Sequence, residues 1–134
     1  MYDSQPPAPF PPTGLCVRAE FVKARDGDTI EVRMQGSAYT FALRLIDCWC
    51  PETDSRDPAQ KAIGLKGKEF TTEQCRKGWL TVFVPLKATD YPLKSLTFDR
   101  VPAWIYVGDE RTTLNEQLVK AGLASTQKNK PLGE

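Results

Sequence analysis

Between residues 15 and 46 apolar and polar positions alternate with the two-residue period of half-buried β-strands. Residues 15–24 predict a first strand, ended by a turn at Asp26-Gly27-Asp28. Ile30, Val32 and Met34 then alternate with Glu31 and Arg33 in a second strand. Gln35-Gly36-Ser37 turns the chain into a third, residues 39–46, with Phe41, Leu43 and Leu45 on one face and Ala42, Arg44 and Ile46 on the other. The period then changes. Asp57-Pro58-Ala59-Gln60 carries a helix start: a capping aspartate, proline at the first helical position and glutamine three residues after the cap. Gly64 and Gly67 fall inside the run that follows. They predict a broken helix, or one that begins properly only near Lys66, with Gly78 as its stop. Residues 79–85 and 100–107 predict a fourth and a fifth strand across a polar connection, and Gly108-Asp109 suits a tight hairpin turn. Thr113-Leu114-Asn115-Glu116 is a capping box that opens a short amphipathic helix, with Leu114, Leu118 and Ala121 on one stripe and Gly122 at its end.

By itself this periodicity supports an α+β domain rich in antiparallel strands. Five short strands with a helix between the third and fourth, and a second helix after the fifth, follow the order of an OB-fold barrel. The expected fold class is therefore α+β, mainly β: a five-stranded OB-fold barrel with two or three helices. With 134 residues and 15.0 kDa the chain has room for one core. That domain is expected over residues 14–125. Residues 1–13 hold Pro6, Pro7, Pro9, Pro11 and Pro12 and predict a flexible arm, and the polar residues 126–134 a flexible tail.

Composition narrows the chemistry. Lys and Arg number 18 against 17 Asp and Glu, so the net charge of +1 announces no polyanion or membrane partner, and any such binding must come from local placement of charge. No stretch approaches the roughly 20 apolar residues of a membrane span, and the first residues lack the basic start and apolar run of a signal peptide. A cytoplasmic, soluble protein is the expectation, with secretion of a precursor left open. The chain has no histidine, which removes Ser-His-Asp and Cys-His catalysis, His-bound zinc and any imidazole base. Cys16, Cys48, Cys50 and Cys75 form no Cys-x-x-Cys knuckle, so small buried side chains are favoured over a Cys₄ zinc site.

The acidic residues gather at strand ends. Asp26 and Asp28 precede the second strand, while Asp47 and Glu52 follow the third. A hairpin between those strands brings Asp28, Asp47 and Glu52 to one end of the barrel. Two readings are open: carboxylates neutralised by a hard, oxygen-bound cation, or carboxylates merely exposed in turns. Arg44, in the middle of an apolar strand, needs an acidic partner or a ligand. Arg100 opens the last strand just after Asp99. Each arginine could be explained by an ion pair at the sheet edge; two of them facing a carboxylate-bound cation suit a phosphodiester.

At these residues the chain resembles the staphylococcal nuclease family. The motifs are Asp26-Gly27-Asp28-Thr29, Arg44-Leu45-Ile46, Pro51-Glu52, Arg100 ahead of Ala103-Trp104-Ile105-Tyr106, and Leu114-Asn115-Glu116 with Gly122-Leu123-Ala124. They keep the family's order over about residues 17–125. The resemblance implies a Ca²⁺-dependent nuclease that cuts DNA or RNA; a preference for single strands is expected if bases must splay to let the phosphate enter a barrel-mouth site, and a monomer is expected. It implies Asp28 and the carbonyl of Cys50 as calcium ligands and Glu52 as the residue that orients or deprotonates the attacking water. Arg44 and Arg100 become the phosphate-binding arginines. A further helix carried by many family members is expected to be short or missing here.

One position departs from the family. An aspartate usually stands two residues before Pro-Glu, whereas here that place holds Trp49. Aligning Asp47 with the missing aspartate leaves Ala42 where the arginine belongs. Aligning Arg44 keeps its spacing to Glu52 and leaves Trp49 in the aspartate's place. A strand-end bulge that lets both Arg44 and Asp47 reach the site is the favoured compromise, with Asp47 as a further calcium ligand. Trp49 either stacks on a nucleobase or plugs the barrel mouth. Lys87 is expected to guide the phosphate backbone. The rival functional reading is a non-catalytic OB module that binds single-stranded nucleic acid or a protein.

Overall fold

The computed structural model describes residues 14–85, 100–128 and 130–132. Five strands and two helices follow in the order β1 (Gly14–Asp26), β2 (Thr29–Met34), β3 (Thr40–Leu45), α1 (Pro58–Cys75), β4 (Leu80–Pro85), β5 (Arg100–Val107) and α2 (Leu114–Lys120). The strands close into one barrel in the order β1-β2-β3-β5-β4. Four of the pairings are antiparallel and one, β3 with β5, is parallel. This is the mixed, mainly β barrel of the OB class. The expected arm at residues 1–13 and the connection holding Lys87 lie outside the described residues.

Strand β1 closes the barrel because it is long and irregular. Its first half pairs with β4 and its second with β2, with register shifts between Phe21 and Lys23 and between Ala24 and Asp26. Such bulges bend a strand and increase its twist, which lets one strand serve two neighbours. The interior is filled by alternate residues of all five strands. Ile30, Val32, Leu43, Leu45, Leu80, Val82 and Ile105 are completely buried. Of the aromatic residues, Tyr39 and Trp79 face solvent at 82% and 45% exposure.

Helix α1 corrects the sequence-based expectation. It runs without a break for 18 residues, and Asp57 caps it by accepting a hydrogen bond from the Ala59 amide at 3.0 Å. Gly64 and Gly67 lie within it as points of close packing. A Cβ at Gly64 would stand 2.7 Å from the Pro51 carbonyl oxygen and 2.8 Å from that of Glu52. The helix ends at Cys75, before Gly78, and Gly108-Asp109 leads from β5 toward α2 without making a hairpin. Helix α2 matches its motif: the Thr113 hydroxyl accepts from the Glu116 amide at 3.1 Å, and Gly122 leaves the helix with φ of 76°. Among the described residues no helix is long and apolar enough to cross a membrane.

Candidate functional site

One end of the barrel carries a cleft of about 430 Å³ whose walls include Asp28, Arg44, Trp49, Cys50 and Glu52. Three separate pieces of chain supply these residues: the β1–β2 turn, the end of β3, and the segment from β3 to α1. Packing against α1 holds them together. The Thr71 hydroxyl donates to the Gly27 carbonyl at 2.7 Å, and a Cβ at Gly27 would meet the Cys50 sulfur at 2.7 Å and the Gly67 backbone at 2.9 Å. Only glycine lets the turn, the helix and the Cys50 segment approach this closely. Asp26 fastens the next residues by accepting hydrogen bonds from both the amide and the hydroxyl of Thr53, at 3.3 and 3.1 Å.

Asp28 is the buried carboxylate of the cleft, with 7% exposure. It accepts from the Cys50 amide at 2.9 Å and the Thr29 hydroxyl at 3.2 Å. Burial pushes its pKa above the usual carboxylate value, and Arg44, with Nη2 3.8 Å from Oδ2, partly offsets that rise. Arg44 donates through Nη1 to the carbonyls of Leu45 and Cys48. Its guanidinium carbon lies 3.6 Å from the centre of the Trp49 ring, a close cation–π contact. Nη2 is buried and has no hydrogen-bond partner among the described residues. A buried guanidinium nitrogen in that state has unused donor capacity that an anionic oxygen in the cleft would satisfy. Glu52 is exposed on the cleft wall.

Asp47 is not brought in. It lies in the turn after β3 with φ of 51°, exposed and outside the cleft walls. Arg44 and Trp49 both line the cleft, and no register shift between β2 and β3 brings Asp47 to it. Arg100 opens β5 beside Ala42 of β3; its side chain and the whole of Lys87 lie outside the described residues. For a calcium ion, which takes 6–8 oxygens, Asp28 offers a hard buried oxygen donor, whereas the Trp49 indole beside it offers none. Among the described residues no group of three or more acidic or cysteine side chains converges on one point.

The four cysteines do not gather at one point either, although Cys48 and Cys50 touch. Cys16 is exposed on β1, while Cys48 and Cys75 are buried in the core. Burial pushes the Cys75 thiol up to about 12, and the contact with Cys48, together with burial, holds Cys50 as a neutral thiol.

Three features escaped the sequence. Asn115 leaves the capping box to reach into the barrel, where it accepts from the Ile105 amide at 3.1 Å and donates to the carbonyls of Ile46 and Ala103 at 2.9 and 3.1 Å. It thereby fixes the end of β3 from which Trp49 is hung. Trp49 in turn forms a two-bond backbone bridge with Ser125, at 2.7 and 3.0 Å. Beyond Ser125 the chain returns to the cleft, where Lys128 and Lys130 join its walls. No local signal marked that return, because a run of polar residues reads the same whether it frays or docks.

A family model described as staphylococcal nuclease homologue matches residues 42–133. No curated protein matches the chain.

Proposed function

Because the chain belongs to the staphylococcal nuclease homologue family, we propose that this cleft binds DNA or RNA and hydrolyses its phosphodiester bonds. The observation that carries the proposal is Arg44 Nη2, which has no hydrogen-bond partner among the described residues and is buried in a cleft that also holds Asp28 and Glu52. A phosphate oxygen is the natural acceptor for it, since guanidinium–phosphate hydrogen bonds are charge-assisted and tighten as charge develops in the transition state. Glu52, free at the wall, takes the role of general base or water-positioner. Arg100 is proposed as the second phosphate-binding arginine. A preference for single strands is part of the proposal: bases would have to splay for a phosphate to enter a cleft at the rim, and Trp49 would offer them an aromatic surface.

Calcium enters the proposal through family membership. Asp28 and the carbonyl of Cys50 would hold it, and such an ion would polarise the phosphoryl group and lower the pKa of bound water. With one buried carboxylate in place of two, the expected requirement is weak and saturates only at millimolar concentrations.

The neutral Trp49 also favours a second reading, a barrel that binds nucleic acid without cutting it. Digestion of heat-denatured DNA separates the two. The proposal expects cutting in Ca²⁺ that EGTA suppresses, and a rate lowered about 10²–10⁴-fold by Glu52→Gln with an unchanged melting temperature. Arg44→Ala should lose as much or more rate, though it also removes the hydrogen bonds to Leu45 and Cys48. Parental rates in both variants would refute the assignment, and tight binding without any cutting would establish the second reading.

A further inference from the structure

The segment that follows α2 is anchored on both sides of two lysines. Before them, Ser125 is bridged to Trp49 by two backbone hydrogen bonds, at 2.7 and 3.0 Å. After them, the Gln60 side chain on α1 donates to the Leu132 carbonyl at 2.8 Å and accepts from the Leu132 amide at 3.3 Å. A strap pinned in this way holds Lys128 and Lys130 against the cleft, with Lys128 Nζ 5.3 Å from the centre of the Trp49 ring. Lysines are usually solvated surface charge. These two differ because their backbone is tied to α1 and to the site segment, and because Trp49 already carries Arg44 at 3.6 Å. Two cations beside one indole leave a positive, aromatic corner.

The charges in the cleft are balanced by the chain itself. Asp26, Asp28 and Glu52 face Arg44, Lys128 and Lys130 across its walls. Asp26 is occupied with Thr53, and Asp28 with Cys50, Thr29 and the flank of Arg44. The two lysines have no ion pair with an acidic residue among the described residues. The uncommitted charge is therefore mainly positive and lies on the Trp49 side, where an aspartate would have made it negative.

We propose that Lys128 and Lys130, together with Trp49, form a subsite for single-stranded nucleic acid that works without a metal ion, the lysines holding phosphates and the indole a base. This rests on the proposed function only in that the cleft accepts nucleic acid, not in that it cuts. Stacking on an aromatic side chain strengthens the hold on each base, and each neutralised phosphate of a single strand adds about 0.7 to the salt slope of binding. Gln60 acts as a positioning residue, since it sets where the strap lies.

The test uses the full chain carrying Glu52→Gln, so that no arm depends on cutting, and a fluorescein-labelled oligothymidine followed by anisotropy. Affinity should agree within about twofold in EGTA and in Ca²⁺. Lys128→Ala and Lys130→Ala should each weaken binding roughly three- to tenfold at low salt and lower the salt slope by about 0.7, with an unchanged melting temperature. Lys128→Arg should restore binding. Gln60→Ala should weaken it with both lysines in place, a result that a purely structural role for the strap would not couple to the salt slope. A double lysine variant that binds like its parent, an unchanged slope, binding that appears only with Ca²⁺, or no binding under any condition would each overturn the subsite. Loss of cutting in the parental chain would refute the nuclease reading and leave this result standing.

Discussion

Helix α2 meets the barrel with Leu114 and Leu118 completely buried and with Asn115 bonded to both β5 and the end of β3. Helix α1 offers a different face, the stripe Gly64, Gly67, Thr71 and Cys75, spaced three and four residues apart along one side. Two of those residues have no side chain to bury. Their contribution is proximity: they bring the helix backbone against the carbonyls of Pro51 and Glu52 and against the Gly27 turn. One helix therefore closes the core and the other shapes the cleft. Apolar area holds α2 in place, whereas α1 is placed by how near it can come, so the same kind of substitution should have different consequences in the two.

The largest effect is expected at Leu118. Leu118→Ala leaves a cavity in a packed core and should cost about 2–5 kcal/mol in chemical denaturation. The remaining folded molecules should keep their nuclease rate and their affinity for oligonucleotide. A large loss of rate per folded molecule would mean that α2 also shapes the cleft.

Gly64→Ala should invert that pattern. In an exposed helix the change would add about 1 kcal/mol of stability. Here the new Cβ would lie 2.7 Å from the Pro51 carbonyl oxygen, so the segment bearing Glu52 must shift. A loss of about 1–3 kcal/mol and at least a tenfold fall in rate are expected. A stabilised, fully active variant would show that α1 is not what shapes the cleft.

The smallest effect concerns Asp28. Burial raises its folded pKa above the ordinary 3.8, so the folded chain holds that proton more tightly than the unfolded chain does. Its contribution is full below 3.8 and is lost as pH rises through the raised folded value. Asp28→Asn keeps an acceptor for the Cys50 amide without the buried charge. Its melting temperature should therefore gain on the parent's by a few degrees between acid and neutral pH. The opposite trend would mean that the attraction of Arg44 outweighs burial.

The strands and α2 were legible because their signals are local. Ile30, Val32, Leu43 and Leu45 alternate as a barrel wall requires, and Thr113 caps the helix it opens. Helix α1 misled because glycine lowers helix propensity wherever it stands, and nothing in a single sequence reveals the carbonyl that takes the missing side chain's place. The cleft was legible in part. Asp28, Arg44, Trp49, Cys50 and Glu52 do line one cavity, from motifs read in order. Asp47 does not, because where a side chain points after a strand end depends on the backbone, and Asp47 takes the left-handed conformation that turns the next residues inward without it. Lys128 and Lys130 were invisible for a related reason. Their places are set by hydrogen bonds from Gln60 and Trp49, which lie far away in the chain.

The bridge between Trp49 and Ser125 also has a consequence in time. During synthesis Trp49 emerges from the ribosome long before the residue that pairs with it. The hydrogen bonds at 2.7 and 3.0 Å cannot form until both strands of that bridge have been made. A nascent chain can acquire β1, β2 and β3 while the Trp49 corner of the cleft is still unassembled. Any competence toward nucleic acid would thus arrive last, after translation has passed Leu132 and Gln60 has something to hold.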